Sequence, residues 1–256
     1  MGAGRELQGR VALVTGGSRG IGRAIVEELA GAGADVAFGF RADTQAAEAL
    51  VARSEAFDVS LEAIRADLAD ADAPKLLVER TIARFGRIDI LVVNAAAWDR
   101  APLLENTPEM LDRMLRVNVH SSFFLVQEAA RRMIELQIAG KIVVVTSRSR
   151  FKPMPGMSAY ALSKAAQYSL VRSAATELAP FDITVNEVAP GVIETELNLV
   201  LREDPDTLRG LLAASLVQRI GQPHEVANAV RFFVSDRAAF VTSATLSVDE
   251  IGRAHV

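Results

Sequence analysis

"VALVTGGSRGIGRAIVEELAGAG", residues 11–33, decides the fold. "VALVT" is a short apolar run of the kind that forms a strand covered on both faces. The segment that follows repeats apolar positions at Ile21, Ala24, Ile25 and Leu29, which is helical spacing, and Gly31 and Gly33 stop it. Between strand and helix stands "TGGSRGIG", residues 15–22. Gly16, Gly20 and Gly22 allow a tight turn, a close approach of backbone to a pyrophosphate, and close packing of helix on strand, while the helix start offers amide donors. The spacing is not GxGxxG, and the Lys-Ser/Thr of a Walker A loop is missing. A purely structural turn is the plain alternative; the strand-turn-helix context favours a nucleotide.

Outward from this unit the alternation repeats. Further strands are expected in "DVAFGF", "SLEAI", "IDILVV", "GKIVVVT", "DITVNEV" and "TLSV", and helices over 44–53, 72–85, 107–135, 158–179 and 223–235, with Pro108 and Pro223 near helix starts. The 107–135 segment is long enough to contain an irregularity. These βαβ units predict one doubly wound, Rossmann-like α/β domain over residues 1–256, with a mainly parallel, seven-stranded sheet flanked by helices. No solenoid repeat or heptad run competes with that reading.

Half of the 256 residues are hydrophobic and the formal net charge is -4, which suits a compact core and gives no general attraction to nucleic acid or an anionic membrane. The chain has no cysteine, so disulfides, thiolate metal sites and cysteine nucleophiles are excluded. "MGAGRELQGR" has no long apolar segment and nothing resembles an 18-residue span, so a cytoplasmic protein without membrane or nucleic-acid partners is expected. His120, His224 and His255 form no close motif, and no metal site is predicted.

The second strand ends in "GFRAD". An enzyme selecting NAD often carries an acidic residue there for the ribose hydroxyls. Here Phe40 and Arg41 occupy the place, with Asp43 later. Arg41, joined by Arg19 from the first loop, suits the extra phosphate of NADP, so NADPH/NADP+ is preferred over NADH/NAD+. Two arginines solvating an exposed edge is the alternative.

A second stretch, "VVVTSRSRFKPMPGMSAYALSKAA", residues 143–166, runs from a strand through a basic loop into a helix. Tyr160 and Lys164 stand four apart on one helix face. A phenol with a reference pKa of about 10 is a poor acid at neutral pH, and a nearby ammonium favours its anion. Ser147, at the strand end, can donate to a carbonyl or a developing alkoxide while Tyr160 transfers the proton. There is no GxSxG elbow to make Ser147 a nucleophile.

With "TGGSRGIG", "DL" at 67–68, "VNAA" at 93–96, "RVNV" at 116–119, Ser147 with "YALSK", and "VNEVAPGVIET" at 185–195, the chain resembles the classical short-chain dehydrogenase/reductase family, above all its 3-oxoacyl carrier-protein reductases. The resemblance covers almost the whole chain. It implies proton transfer by Tyr160, polarisation of the substrate oxygen by Ser147, ribose binding and phenolate stabilisation by Lys164, and support of a water and backbone relay by Asn118. It also implies cofactor contacts by Asp67 on the adenine side, Asn94 in the cleft and Thr195 at the nicotinamide end. Gly16, Ser18, Arg19, Gly20, Ile21, Gly22, Arg41, Leu68, Ala95, Pro190, Gly191 and Ile193 complete that surface. A homodimer or homotetramer is implied too.

The pattern departs at Val93 and Ala96, at Arg150 where a glycine is usual, and at Asp249-Glu250 where paired glycines are usual. Arg148, Arg150 and Lys152 are read either as guides for an anionic substrate or carrier arm, or as solvated or interfacial charges; Arg131 and Arg132 are a candidate docking patch. Residues 194–217 have the length for a substrate-covering lid. Phe232 and Phe233 read as core or interface, His224 as a helix-start residue, and Trp98 as either pocket or core. The expected activity is NADPH-dependent reduction of a ketone, a 3-oxoacyl thioester or polyketide-like compound. Oxidation of a sugar, steroid or secondary-metabolite alcohol is the alternative, and a non-catalytic nucleotide sensor is another.

Overall fold

The computed structural model describes residues 4–196, 209–210 and 216–250. Seven strands, β1 (Val11–Val14), β2 (Asp35–Phe40), β3 (Leu61–Arg65), β4 (Ile90–Val93), β5 (Lys141–Val145), β6 (Thr184–Pro190) and β7 (Thr245–Val248), form one sheet in the order β3-β2-β1-β4-β5-β6-β7. Every pairing in it is parallel.

Side chains alternate across a strand, so each strand of such a sheet must be apolar at successive positions. In β1, Ala12 and Val14 face the layer made by α1 (Gly20–Gly31), while Leu13 faces the opposite core. On the first face α1 packs beside the helix Pro223–Val234, bringing Ile25, Leu29, Val230 and Phe233 onto the sheet. The other face is covered by the helices Ala73–Phe85, Ser121–Glu135 and Ser158–Leu178. The doubly wound architecture expected from the sequence is the observed one.

In chain order the remaining helices are α2 (Thr44–Val51), the single turn α3 (Ser54–Phe57), α4 (Ala73–Phe85), α5 (Pro108–Met114), α6 (Ser121–Glu135), α7 (Ser158–Leu178) and α8 (Pro223–Val234). The expected helix over 44–53 is observed as α2, and the single turn α3 follows beyond it. Residues 108–135 are one helical run interrupted by a π-turn, Leu115–His120, which carries Asn118. Capping explains the start of α5, where Thr107 accepts a hydrogen bond from the Met110 amide. Among the described residues no helix is long and apolar enough to cross a membrane. Most of the expected lid, residues 197–208 and 211–215, lies outside the described residues.

The order reverses between β1 and β4: from β1 the chain builds toward β3, then returns to β4 and builds toward β7. Helices leave the strand ends on opposite sides at this point, and a crevice opens between the loops.

Candidate active site

The crevice is a cavity of about 460 Å³. Every residue singled out from the sequence as a cofactor contact lines it: the glycine-rich turn, Arg41, Asp67, Leu68, Asn94 and Ala95, Tyr160 and Lys164, and Pro190, Gly191, Ile193 and Thr195. Ser147 lines it as well, whereas Asn118 lies just behind, fully buried.

Gly16 adopts φ +68°, and a Cβ there would approach Ala95 to 3.1 Å. A Cβ on Gly22 would lie 2.0 Å from the Gly16 carbonyl oxygen, so only glycine lets α1 start this close to β1. The Thr15 hydroxyl accepts hydrogen bonds from the Asn94 and Ala95 amides, and the Asn94 side chain donates to the Thr15 carbonyl at 3.0 Å. These bonds tie the β1 and β4 loops together. The first turn of α1 has no side-chain cap, which leaves its amides free for an anion. Arg19 and Arg41 are exposed at the same end, and neither guanidinium forms an ion pair among the described residues. Asp67 accepts from the Ala69 amide at 3.0 Å, which turns the chain after β3 into the crevice. A dinucleotide with an added phosphate fits this donor set: tight glycine backbone, open amides, and two cations beyond β2.

At the other end of the cavity, Ser147 leaves β5 with extended backbone, and its hydroxyl accepts from the Ser149 amide at 3.1 Å. Ser147 and Tyr160 line the same cavity, and the Ser147 side chain favours the phenolate form of Tyr160. Burial pushes the Tyr160 pKa up to about 12, with the Ser147 side chain opposing the rise. Burial lowers Lys164 to about 7, while the Glu187 carboxylate pulls it back up. The ammonium stands 5.6 Å from the centre of the Tyr160 ring. It therefore favours the phenolate that forms when Tyr160 gives up its proton.

Asn118 acts through its side chain on the neighbouring loop. Its Oδ1 accepts from the Ala97 amide at 2.7 Å, and its Nδ2 donates to the Ala97 carbonyl at 3.0 Å and to Ser163 Oγ at 2.9 Å. A π-turn widens the helix locally and frees backbone groups, which is how Asn118 reaches both β4's loop and α7.

In the basic loop after Ser147 the two arginines differ from their expected roles as free guides or solvated charges. Arg148 is buried and forms an ion pair with Glu250 at 3.0 Å, and Arg150 pairs with the fully buried Glu187 at 2.7 Å. The Arg150 guanidinium also lies 4.0 Å from the Tyr168 ring centre, over its face. Neither arginine is a solvated charge, and neither is free to guide an anionic substrate. Glu187 further accepts from the Thr146 and Thr245 hydroxyls. The usual glycines at 150 and 250 are thus replaced by an arginine and a glutamate that each find an opposite charge. Lys152 remains exposed. Arg131 and Arg132 pair with Glu128 and Glu135 on their own helix, which leaves a weaker basic patch than their sequence suggests.

Trp98, Met154 and Met157 line the cavity beside Ser147 and Tyr160, so Trp98 belongs to the pocket. Phe233 is core, with Phe232 packed against it, and His224 sits exposed at the start of α8. Thr15, Gln167, Ser122 and Glu187 are site residues that sequence reasoning missed. For Gln167 a signal existed, since it follows Lys164 by three positions on one helix face.

A family model described as "Enoyl-(Acyl carrier protein) reductase" matches residues 16–250. The chain belongs to the short-chain dehydrogenase/reductase family. A short-chain dehydrogenase from Burkholderia cenocepacia, solved in complex with NADP, superposes with a TM-score of 0.89 at 37% identity over 96% of this chain and 98% of that one. The L-rhamnose 1-dehydrogenase (NAD(P)(+)) of a Sphingomonas strain is 35% identical over 95% of this chain and 96% of its own. The 3-oxoacyl-[acyl-carrier-protein] reductase of Staphylococcus aureus is 36% identical over 93% and 96%. As a short-chain dehydrogenase/reductase the protein is an NAD(P)-dependent oxidoreductase.

Proposed function

We propose that this short-chain dehydrogenase/reductase uses NADPH to reduce a ketone, a 3-oxoacyl thioester or polyketide-like compound, in the cytoplasm and as a homodimer or homotetramer. The observation that carries the reading is that Ser147, Tyr160 and the buried Lys164 line one cavity with the glycine-rich turn. NADPH, when bound, supplies the hydride that adds to the carbonyl carbon. Ser147 donates to the carbonyl oxygen, and Tyr160 gives that oxygen its proton as charge develops there. Lys164 stabilises the phenolate left behind. Arg41 and Arg19 hold the added phosphate, and Asn118 keeps the Ala97 loop and α7 in register.

Apolar Trp98, Met154 and Met157 favour an uncharged keto chain over a sugar. Oxidation of a sugar alcohol is the second reading, supported by the likeness to the rhamnose dehydrogenase. Exposed Phe123 on α6 and Leu162 on α7 offer apolar surface for subunit contact. NADPH oxidation screened over 3-oxoacyl carrier-protein and coenzyme A thioesters, cyclic ketones and sugars tests the substrate class. Turnover of thioesters supports the proposal, whereas turnover confined to compact ketones or sugars overturns its substrate class. In Tyr160→Phe, turnover should fall by about two to four orders of magnitude with NADPH binding kept. Cofactor binding without turnover in the parent chain would indicate a sensor.

A further inference from the structure

An ammonium has three N–H donors. Two of those on Lys164 are committed inside the protein, to the Val145 carbonyl at 3.1 Å and to Gln167 Oε1 at 2.9 Å. Gln167 lies one helical turn on and is 1% exposed. At its other end, Nε2 donates to Ser122 Oγ at 2.7 Å, and Ser122 Oγ donates to the Asn118 carbonyl at 2.6 Å. Side chains alone therefore connect the lysine to the π-turn.

The direction of this chain follows from chemistry. Lysine only donates, so it must face the amide oxygen; the amide nitrogen then faces Ser122, whose own proton goes to the Asn118 carbonyl. Glutamine suits the place because it accepts at one end and donates at the other without bringing a charge. Leucine or methionine there would leave an N–H of Lys164 and the Ser122 hydroxyl without these partners. An amide has no titratable proton near neutral pH, so the link fixes geometry and does not conduct protons through Gln167.

We propose that Gln167 is a positioning residue that anchors the Lys164 ammonium to the Asn118 turn and keeps it cationic, leaving one donor for the Tyr160 side of the cavity. The role deepens the reductase reading and rests on it for its catalytic consequence only. Among the described residues, the charged or titratable groups that face Lys164 are Tyr160 from its own helix and Glu187 from β6, the latter paired with Arg150. From α6 and the π-turn come the neutral Ser122 and Asn118. Gln167 is thus an uncharged acceptor acting beside one carboxylate. Hydrogen bonding to the charged form raises the pKa of a base, so losing the acceptor must lower that of Lys164.

Lysine ε-carbon NMR on the full chain tests this without a substrate. The chain's lysines are Lys75, Lys141, Lys152 and Lys164, so Lys164→Arg assigns the signal. In Gln167→Leu the Lys164 titration midpoint should fall by about one pH unit, and in Gln167→Glu, which restores an acceptor and adds a charge, it should rise above the parent value. The alkaline limb of kcat should move with each midpoint, while the KM for NADPH changes less. Should Gln167→Leu fail to fold, as judged by circular dichroism and NADPH fluorescence, Gln167→Met takes its place. Equal midpoints in the parent, the apolar variant and Gln167→Glu would overturn the inference. An inactive Tyr160→Phe with unmoved midpoints overturns the role of Gln167 alone; an active Tyr160→Phe overturns the reductase reading, and the lysine midpoints still decide the anchor.

Discussion

Arg148 and Glu250 form an ion pair at 3.0 Å with side chains only 6% and 8% exposed, the arginine directly following Ser147 and the glutamate following the last strand. Glu250 also accepts from the Val192 amide at 3.1 Å, so one carboxylate ties the Ser147 turn to the loop after β6. Breaking a buried pair leaves an uncompensated charge, which is costlier than removing both partners. Arg148→Met should therefore lose about 3–5 kcal/mol in urea unfolding, and adding Glu250→Gln should recover much of that loss. Equal losses in the single and double variants would contradict it.

At Gly22 the constraint is steric. A Cβ would lie 2.0 Å from the Gly16 carbonyl oxygen and 2.6 Å from Asn94 Nδ2. Gly22→Ala must push α1 away from β1, and overpacking of that kind costs about 1–3 kcal/mol. NADPH affinity, followed by fluorescence titration, should fall about tenfold or more, with a lower Tm.

Arg41 stands exposed beyond the end of β2, beside the cavity. Arg41→Ala should raise the KM for NADPH about tenfold and leave that for NADH nearly unchanged, because only the added phosphate loses a partner. Steady-state kinetics with both cofactors separates this from a general loss of binding.

Reduction needs Lys164 charged and Tyr160 protonated. With Lys164 lowered to about 7 and Tyr160 raised to about 12, the lysine deprotonates first as pH rises, so kcat for reduction should fall above about pH 7. Glu187 raises the lysine pKa, and removing its charge must move the fall to lower pH. A pH profile of Glu187→Gln superimposable on that of the parent would refute the coupling.

The fold was legible because parallel strands covered on both faces are apolar nearly throughout, as in β1, β2, β4 and β5, and strands of this kind alternate with amphipathic segments. Strand limits were less so. β6 begins at Thr184 and runs to Pro190, later than expected, because proline reads as a breaker although it sits acceptably at a strand end. The irregularity expected within 107–135 is real, but residue pattern alone does not fix it at the π-turn of Asn118. Ser147, Tyr160 and Lys164 were legible as a group through local spacing. Arg148 and Arg150 were not, because their acidic partners lie on β6 and beyond β7, and a basic run of sequence gives no sign of distant carboxylates. Gln167 carries no charge and has no chemistry of its own, so its value emerges only with its neighbours in place.

Because the Ser147 turn is held by a carboxylate that follows β7, the order of synthesis matters. The turn that presents Ser147 gains its buried counter-charge only when Glu250 emerges. The basic turn therefore cannot reach its buried, paired state until the whole strand order is in place.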